Sequence, residues 1–316
     1  MLAVVCPGQG AQSPGMLAPW FEVPGVAAEL DTSSQVTGLD LVRLGTTADA
    51  EEIRDTAVAQ PLLVASALAT ARALGLLAPE TPRPDVVAGH SVGEFTALVL
   101  AGVLDPATAL RLVALRGRAM ARAAARVPTG MSAVLGGDPD DVLARLTELR
   151  LTAANVNGGG QVVAAGALEA LAELAAAPPA RSKVVALQVA GAFHTDVMAS
   201  AVDELRAAAA TVTPADPSIA LLTNADGTPV RTGGDALALV VRQVARPVRW
   251  DLVQETMAAL GVTGLLELAP GGVLAGLARR ALPDVERVAV KSPADLDAAR
   301  DLMARHSGTT NQEEQA

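Results

Sequence analysis

Tyrosine is missing altogether from this 316-residue chain, and cysteine (one), tryptophan (two), phenylalanine (three) and histidine (three) are scarce. A single cysteine excludes a disulfide framework and any cysteine-rich zinc or iron–sulfur site, and it fits a reducing cytoplasm. Three histidines leave little room for an imidazole metal site, so no metal is expected. Positive charge is also short: 24 Lys and Arg stand against 34 Asp and Glu, a formal net charge of −10. With 2% aromatics as well, the chain lacks the basic field and the stacking surface of a nucleic-acid binder. Long apolar runs are absent too. Mean hydropathy is +0.36, yet the nearest approach to a membrane span, Pro61 to Leu77, carries Ser66, Thr70 and Arg72 and suits a buried helix. The N-terminus, Met1-Leu2-Ala3-Val4-Val5-Cys6-Pro7, has no basic region and reads as a first strand rather than a signal peptide.

What is present is core-forming material: 51% hydrophobic residues against 18% charged, over a length that suits one large domain or one with a smaller companion. Short β-rich runs alternate with Ala/Leu-rich helical stretches, the pattern of an α/β fold with a largely parallel sheet. Ala3 to Cys6 and Asp85 to Ala88 read as buried strands entering glycine turns, and Pro61 to Leu77 and Pro106 to Ala125 as helices with proline near the first turn. From about Val127 the order becomes strand (131–136), helix (140–149), strand (152–156), strand (161–165), helix (168–177), strand (183–189). That βαββαβ series is ferredoxin-like and predicts a small inserted domain at 127–192, with the larger domain formed by 1–126 and 193–316. Beyond it, Ile219 to Leu222 and Gly264 to Leu268 read as strands, with helices at 235–244, 250–261 and 273–282. The polar end, Ser307 to Ala316, is expected to fray.

The strongest chemical signal is Asp85-Val86-Val87-Ala88-Gly89-His90-Ser91-Val92-Gly93-Glu94-Phe95, an apolar strand running through Gly-x-Ser-x-Gly into a helix. Glycines two residues either side of a serine permit the sharp turn that presents its Oγ, and the helix start puts the Val92 N–H where an oxyanion would form. Such a serine needs a base. His306 sits in the last helical stretch, and His90 adjoins the serine on a tight turn, where it would project away or line the pocket wall. Elimination leaves His194, in Ala190-Gly191-Ala192-Phe193-His194-Thr195 at the domain junction, where clefts form; a satisfied structural histidine is the alternative. Pro7-Gly8-Gln9-Gly10-Ala11-Gln12 has no lysine and fails as a phosphate cradle, but the Gln9 N–H could serve as the second oxyanion donor. Asn157-Gly158-Gly159-Gly160-Gln161 reads as a hairpin turn. Among helical arginines, Arg111, Arg118 and Arg122 read as solvated, whereas Arg116 beside Gly117 is the odd one out, although periodicity alone does not certify it.

Taken in order, Pro7 to Gln12, Gln60-Pro61-Leu62-Leu63, Gly89 to Phe95, Leu115-Arg116-Gly117-Arg118-Ala119-Met120, Asn155-x-Asn157, Gly191 to His194, Pro247-Val248-Arg249-Trp250 and Pro270-Gly271-Gly272-Val273-Leu274 resemble the malonyl-CoA:acyl carrier protein transacylases over nearly the whole chain. The resemblance implies a large α/β-hydrolase-like domain carrying the ferredoxin-like one. It also implies ping-pong transfer of malonyl from malonyl-CoA to the phosphopantetheine thiol of an acyl carrier protein, with no bound cofactor. By the same resemblance Ser91 is the nucleophile and His194 the base, the N–H groups of Gln9 and Val92 form the oxyanion hole, and Arg116 binds the malonyl carboxylate. Gln60, Asn157, His90, Met120 and Phe193 are implied as pocket residues, the bulk of Phe193 disfavouring a 2-methyl group. The histidine of this family is oriented by a backbone carbonyl, here expected from Arg249. Arg246, Ala269 and Gly159 depart from the commoner asparagine, glycine and proline.

Competing readings are a thioesterase of the same fold, a transacylase for methylmalonyl, and an idle scaffold. A thioesterase has no need of a carboxylate clamp, and a scaffold should lack a catalytic group. Carrier proteins are acidic, so docking on an acidic chain requires a local basic patch, for which Arg181, Lys183, Arg279, Arg280, Arg287 and Lys291 are candidates. The resemblance favours a monomer in the cytoplasm, serving fatty-acid or polyketide synthesis.

Overall fold

The computed structural model describes residues 1–78, 81 and 83–307; of the segment expected to fray, 308–316 lie outside the described residues. The chain opens with β1 (Leu2–Cys6), α1 (Val26–Thr37), α2 (Leu41–Thr46) and α3 (Thr56–Ala73). Strand β2 (Val86–Gly89) precedes α4 (Glu94–Leu100) and α5 (Pro106–Ala124). Next come β3 (Thr129–Gly136), α6 (Pro139–Glu148), β4 (Thr152–Gly158), β5 (Gln161–Ala167), α7 (Leu168–Ala176) and β6 (Ser182–Ala186). The last third holds α8 (Ala199–Ala209), β7 (Ala220–Leu222), β8 (Pro229–Val230), α9 (Gly233–Gln243), β9 (Val248–Arg249) and α10 (Trp250–Ala259), then β10 (Gly264–Glu267), α11 (Val273–Ala281), β11 (Glu286–Ala289) and α12 (Leu296–His306). The result is a mixed α/β fold with two sheets.

The larger sheet runs β11-β10-β1-β2-β7-β8, parallel except for β8. A parallel sheet covered on both faces needs strands that are apolar throughout, and β1 meets this: Leu2, Val4 and Cys6 enter one core cluster, Ala3 and Val5 the other. Outward from β1 the order proceeds through β2 on one side and β10 on the other, so chain connections leave a crevice at the carboxyl end of β1. Helix α3, buried almost all round from Ala59 to Ala71, accounts for the apolar run at 61–77. It begins earlier than the sequence suggests. The Asp55 side chain accepts the Ala57 N–H and starts the helix, which places Pro61 inside it rather than in the first turn. No helix among the described residues is long and apolar enough to cross a membrane.

The smaller sheet has the order β6-β3-β5-β4-β9, antiparallel except for the β4–β9 pair. Alternation splits its two faces. Val134, Val162 and Ala164 pack under α6 and α7 with Val142, Leu146, Leu171 and Leu174, while Met131, Ala133 and Val163 turn to a cavity shared with the larger sheet. The fifth strand was not foreseen: Val248 and Arg249, far along the chain, pair with Asn155 and Val156. The Asn157–Gln161 segment is the β4–β5 hairpin turn, as read.

Candidate active site

The loop after β2 is a strand-to-helix elbow whose glycines are required by close approach. A Cβ on Gly89 would lie 2.0 Å from the Gly93 carbonyl carbon, and one on Gly93 would lie 2.2 Å from the Cys6 oxygen. Ser91 takes a left-handed φ of 51°, which is strained for a residue with a Cβ. Asn224, fully buried after β7, fixes this conformation by accepting the Ser91 N–H at 2.7 Å and donating to Gly89 O at 2.7 Å.

His194, also at positive φ (61°), brings Nε2 to 2.8 Å from Ser91 Oγ. Its Nδ1 lies 2.7 Å from the main-chain oxygen of Gln243, not of Arg249. This corrects the expected orienting residue. Gln243 is the last residue of α9, where helix carbonyls have no intrahelical donor and carry the negative end of the dipole. Arg249 instead binds Asp251 with its side chain and gives its main-chain N–H to Asn224 O at 2.8 Å. Burial, followed by the nearby Arg116 cation, pulls the His194 imidazole down to about 3, so it is neutral at pH 7 and free to accept a proton.

Arg116 is 1% exposed. Its Nη1 donates to Gln60 Oε1 at 2.7 Å, and its Nη2 to Gln243 Oε1 at 2.8 Å and Ser91 Oγ at 3.3 Å. Gly117 permits this: a Cβ there would sit 2.7 Å from Thr56 O, so α5 meets the start of α3 and places Arg116 opposite Gln60. Arg111, Arg118 and Arg122 are exposed, as expected. Below the serine lies Glu94, its carboxyl pushed up to about 8 mainly by burial. It accepts from Asn224 N at 2.9 Å and from the side-chain amide of Gln243. Sequence reasoning missed Gln243 and Asn224. Gln243 follows Ala236 and Val240 at i+7 and i+3 on the buried stripe of α9, and a polar residue on an apolar stripe is the signal that could have exposed it.

A cavity of about 210 Å³ opens between the sheets above Ser91, lined by Gln9, Gln60, His90, Met120, Asn157, Phe193 and His194 together with Val273, Leu274 and Leu277 of α11. His90 contacts Asn157 Oδ1 through Nε2 at 2.9 Å and packs edge-on against Trp250, centroids 5.5 Å apart, so it forms wall rather than base. Val92 follows the serine in the helix-starting turn. His306 ends α12 and is held by Thr263 and Glu286. Of the candidate docking cations, Arg181, Lys183, Arg279, Arg280 and Lys291 are exposed, Arg280 while donating Nη1 to Gly159 O at 3.1 Å, and Arg287 is turned onto the carbonyls of Leu282 and Val285.

Residues 3–302 match the acyl transferase domain family. The malonyl CoA-acyl carrier protein transacylase of Mycobacterium tuberculosis is 51% identical over 96% of this chain and 100% of its own length. Among solved structures, MCAT from Mycobacterium tuberculosis superposes with a TM-score of 0.90 at 51% identity, covering 95% of this chain and 99% of that one. A malonyl-transacylase in complex with a type II PKS acyl-carrier protein superposes at 0.88 with 33% identity, covering 95% and 99%. The chain belongs to the acyl transferase family and, within it, to the malonyl CoA-acyl carrier protein transacylases.

Proposed function

We propose that this protein moves a malonyl group from malonyl-CoA to the phosphopantetheine thiol of an acyl carrier protein through a malonyl ester on Ser91. The observation that carries the reading is a buried guanidinium, Arg116, 3.3 Å from the Oγ of a serine bonded to a neutral histidine. A cation so placed suits an acyl group that itself ends in a carboxylate. His194 takes the serine proton as Oγ attacks the thioester carbon, and the N–H groups of Gln9 and Val92 receive the oxyanion. The C–S bond breaks, and the proton passes from His194 to the departing thiol of coenzyme A. The carrier's thiol then surrenders its proton to His194 and attacks the ester, and Ser91 Oγ leaves with that proton. Nucleophile, base and carboxylate-binding group are all side chains, so the route uses no cofactor. As the imidazolium forms, the C-terminal carbonyl of α9 supports it in place of an acidic third residue.

Met120 and Phe193 shape the acyl pocket beside Gln60, His90 and Asn157. The bulk of Phe193 disfavours methylmalonyl, a preference of about 1–3 kcal/mol by the usual worth of a pocket methyl. The parallel sheet with its serine elbow is read as α/β-hydrolase-like. Residues 127–192 are read as an inserted ferredoxin-like domain, which the β6-β3-β5-β4 order and the two helices on one face support. The protein acts as a cytoplasmic monomer that meets the carrier at the cavity mouth. Radiolabelled malonyl-CoA tests the function: label should stay on the protein, be absent from Ser91→Ala, and pass to added phosphopantetheinylated carrier. Release as free malonate with none on the carrier would make the protein a thioesterase instead.

A further inference from the structure

We infer that Glu94 is a positioning residue that sets acyl-group selectivity by fixing which way round the side-chain amide of Gln243 sits; this rests on Arg116 receiving the malonyl carboxylate. Gln243 Nε2 faces three oxygens: Ser91 O at 3.0 Å, Asn224 Oδ1 at 3.2 Å and Glu94 Oε2. Its Oε1 is thereby left to Arg116 Nη2 at 2.8 Å. Glu94 is 3% exposed and uses both oxygens as acceptors, Oε1 taking the Asn224 N–H at 2.9 Å. Ionised, the carboxylate only accepts, and two N–H donors, one on each oxygen, are what that form requires; protonation would put an O–H among them.

A glutamine at 94 would fill the same volume but offer one acceptor where two are needed. The Asn224 N–H is fixed backbone and would claim the amide oxygen, leaving an NH2 facing the NH2 of Gln243. Flipping Gln243 relieves that contact only by aiming its own NH2 at Arg116 and its oxygen at Ser91 O and Asn224 Oδ1. Arg116 already has a buried Nε without a partner among the described residues, so a further lost acceptor falls on the group that must hold the carboxylate.

The test compares kcat/KM for malonyl-CoA and acetyl-CoA in wild type, Glu94→Gln, Glu94→Asp and Arg116→Ala, with folding checked by thermal melts. Glu94→Gln should lose about tenfold or more in malonyl transfer relative to acetyl transfer. Glu94→Asp, which keeps two acceptors but draws them back, should shift the same ratio by less, and it carries the test if the glutamine variant does not fold. An unchanged ratio in both Glu94 variants, or an equal fall for both acyl groups, overturns the inference while Arg116→Ala still loses selectivity. If Arg116→Ala itself keeps its malonyl preference, the proposed carboxylate clamp fails, whatever the Glu94 variants do.

Discussion

Arg116 keeps its charge in a place that disfavours charge. Burial pulls its guanidinium down to about 10, with Glu94 opposing, so it remains a cation at pH 7. The same cation is the second cause of the depressed His194 base, after burial. The sign of its removal follows: without a neighbouring positive charge the imidazolium is favoured and the His194 pKa rises from about 3. In Arg116→Ala the acid limb of kcat/KM for acetyl transfer should therefore move to higher pH, as a pH–rate profile would record; a limb that stays in place or moves down would contradict this coupling. Ser91 and His194 were legible from the Gly-x-Ser-x-Gly pattern and from the scarcity of histidine, whereas Arg116 stood out only beside Gly117 and drew its role from the family resemblance. Gln243 was not, because its decisive atom is a main-chain oxygen, a group every residue owns. Only its place at a helix end singles it out.

Between elements, the site depends on how closely α3 and α5 approach. Gly117 stands at their contact, where a Cβ would lie only 2.7 Å from Thr56 O, and each helix contributes one side of the Gln60–Arg116 pair. Gly117→Ala should push the helices apart, costing about 1–3 kcal/mol in denaturant melts and raising the KM for malonyl-CoA; a stable variant with unchanged KM would show that the spacing is dispensable. Strands β1 to β7 and β10 could be read from their apolar runs and turns to within a few residues, whereas β8 and β11 were not. Helix α1 could not, because its buried stripe, Val26, Leu30, Ser33 and Thr37, is half hydroxyl and blurs the period. Nor could β9, whose two residues are too few to show any alternation.

For the whole molecule, an excess of ten negative charges repels an acidic partner at long range, so attraction must be local. Arg279 and Arg280 end α11, the helix whose first turn lines the cavity, which makes them the strongest docking candidates. Reversing both charges should raise the KM for the carrier protein and leave that for malonyl-CoA alone; equal effects on both would place docking elsewhere.

The stretch from Gln243 to Trp250 touches nearly everything the reaction needs. It begins at the carbonyl that holds His194, adds a strand to the smaller sheet, takes a hydrogen bond from Arg249 to the loop that braces the elbow, and ends at Trp250 against His90. Prising the two sheets apart would therefore pull on the segment whose first carbonyl holds His194. On the proposed mechanism an opened cleft would be a disarmed one, since water entering through it would meet the Ser91 ester with His194 out of line.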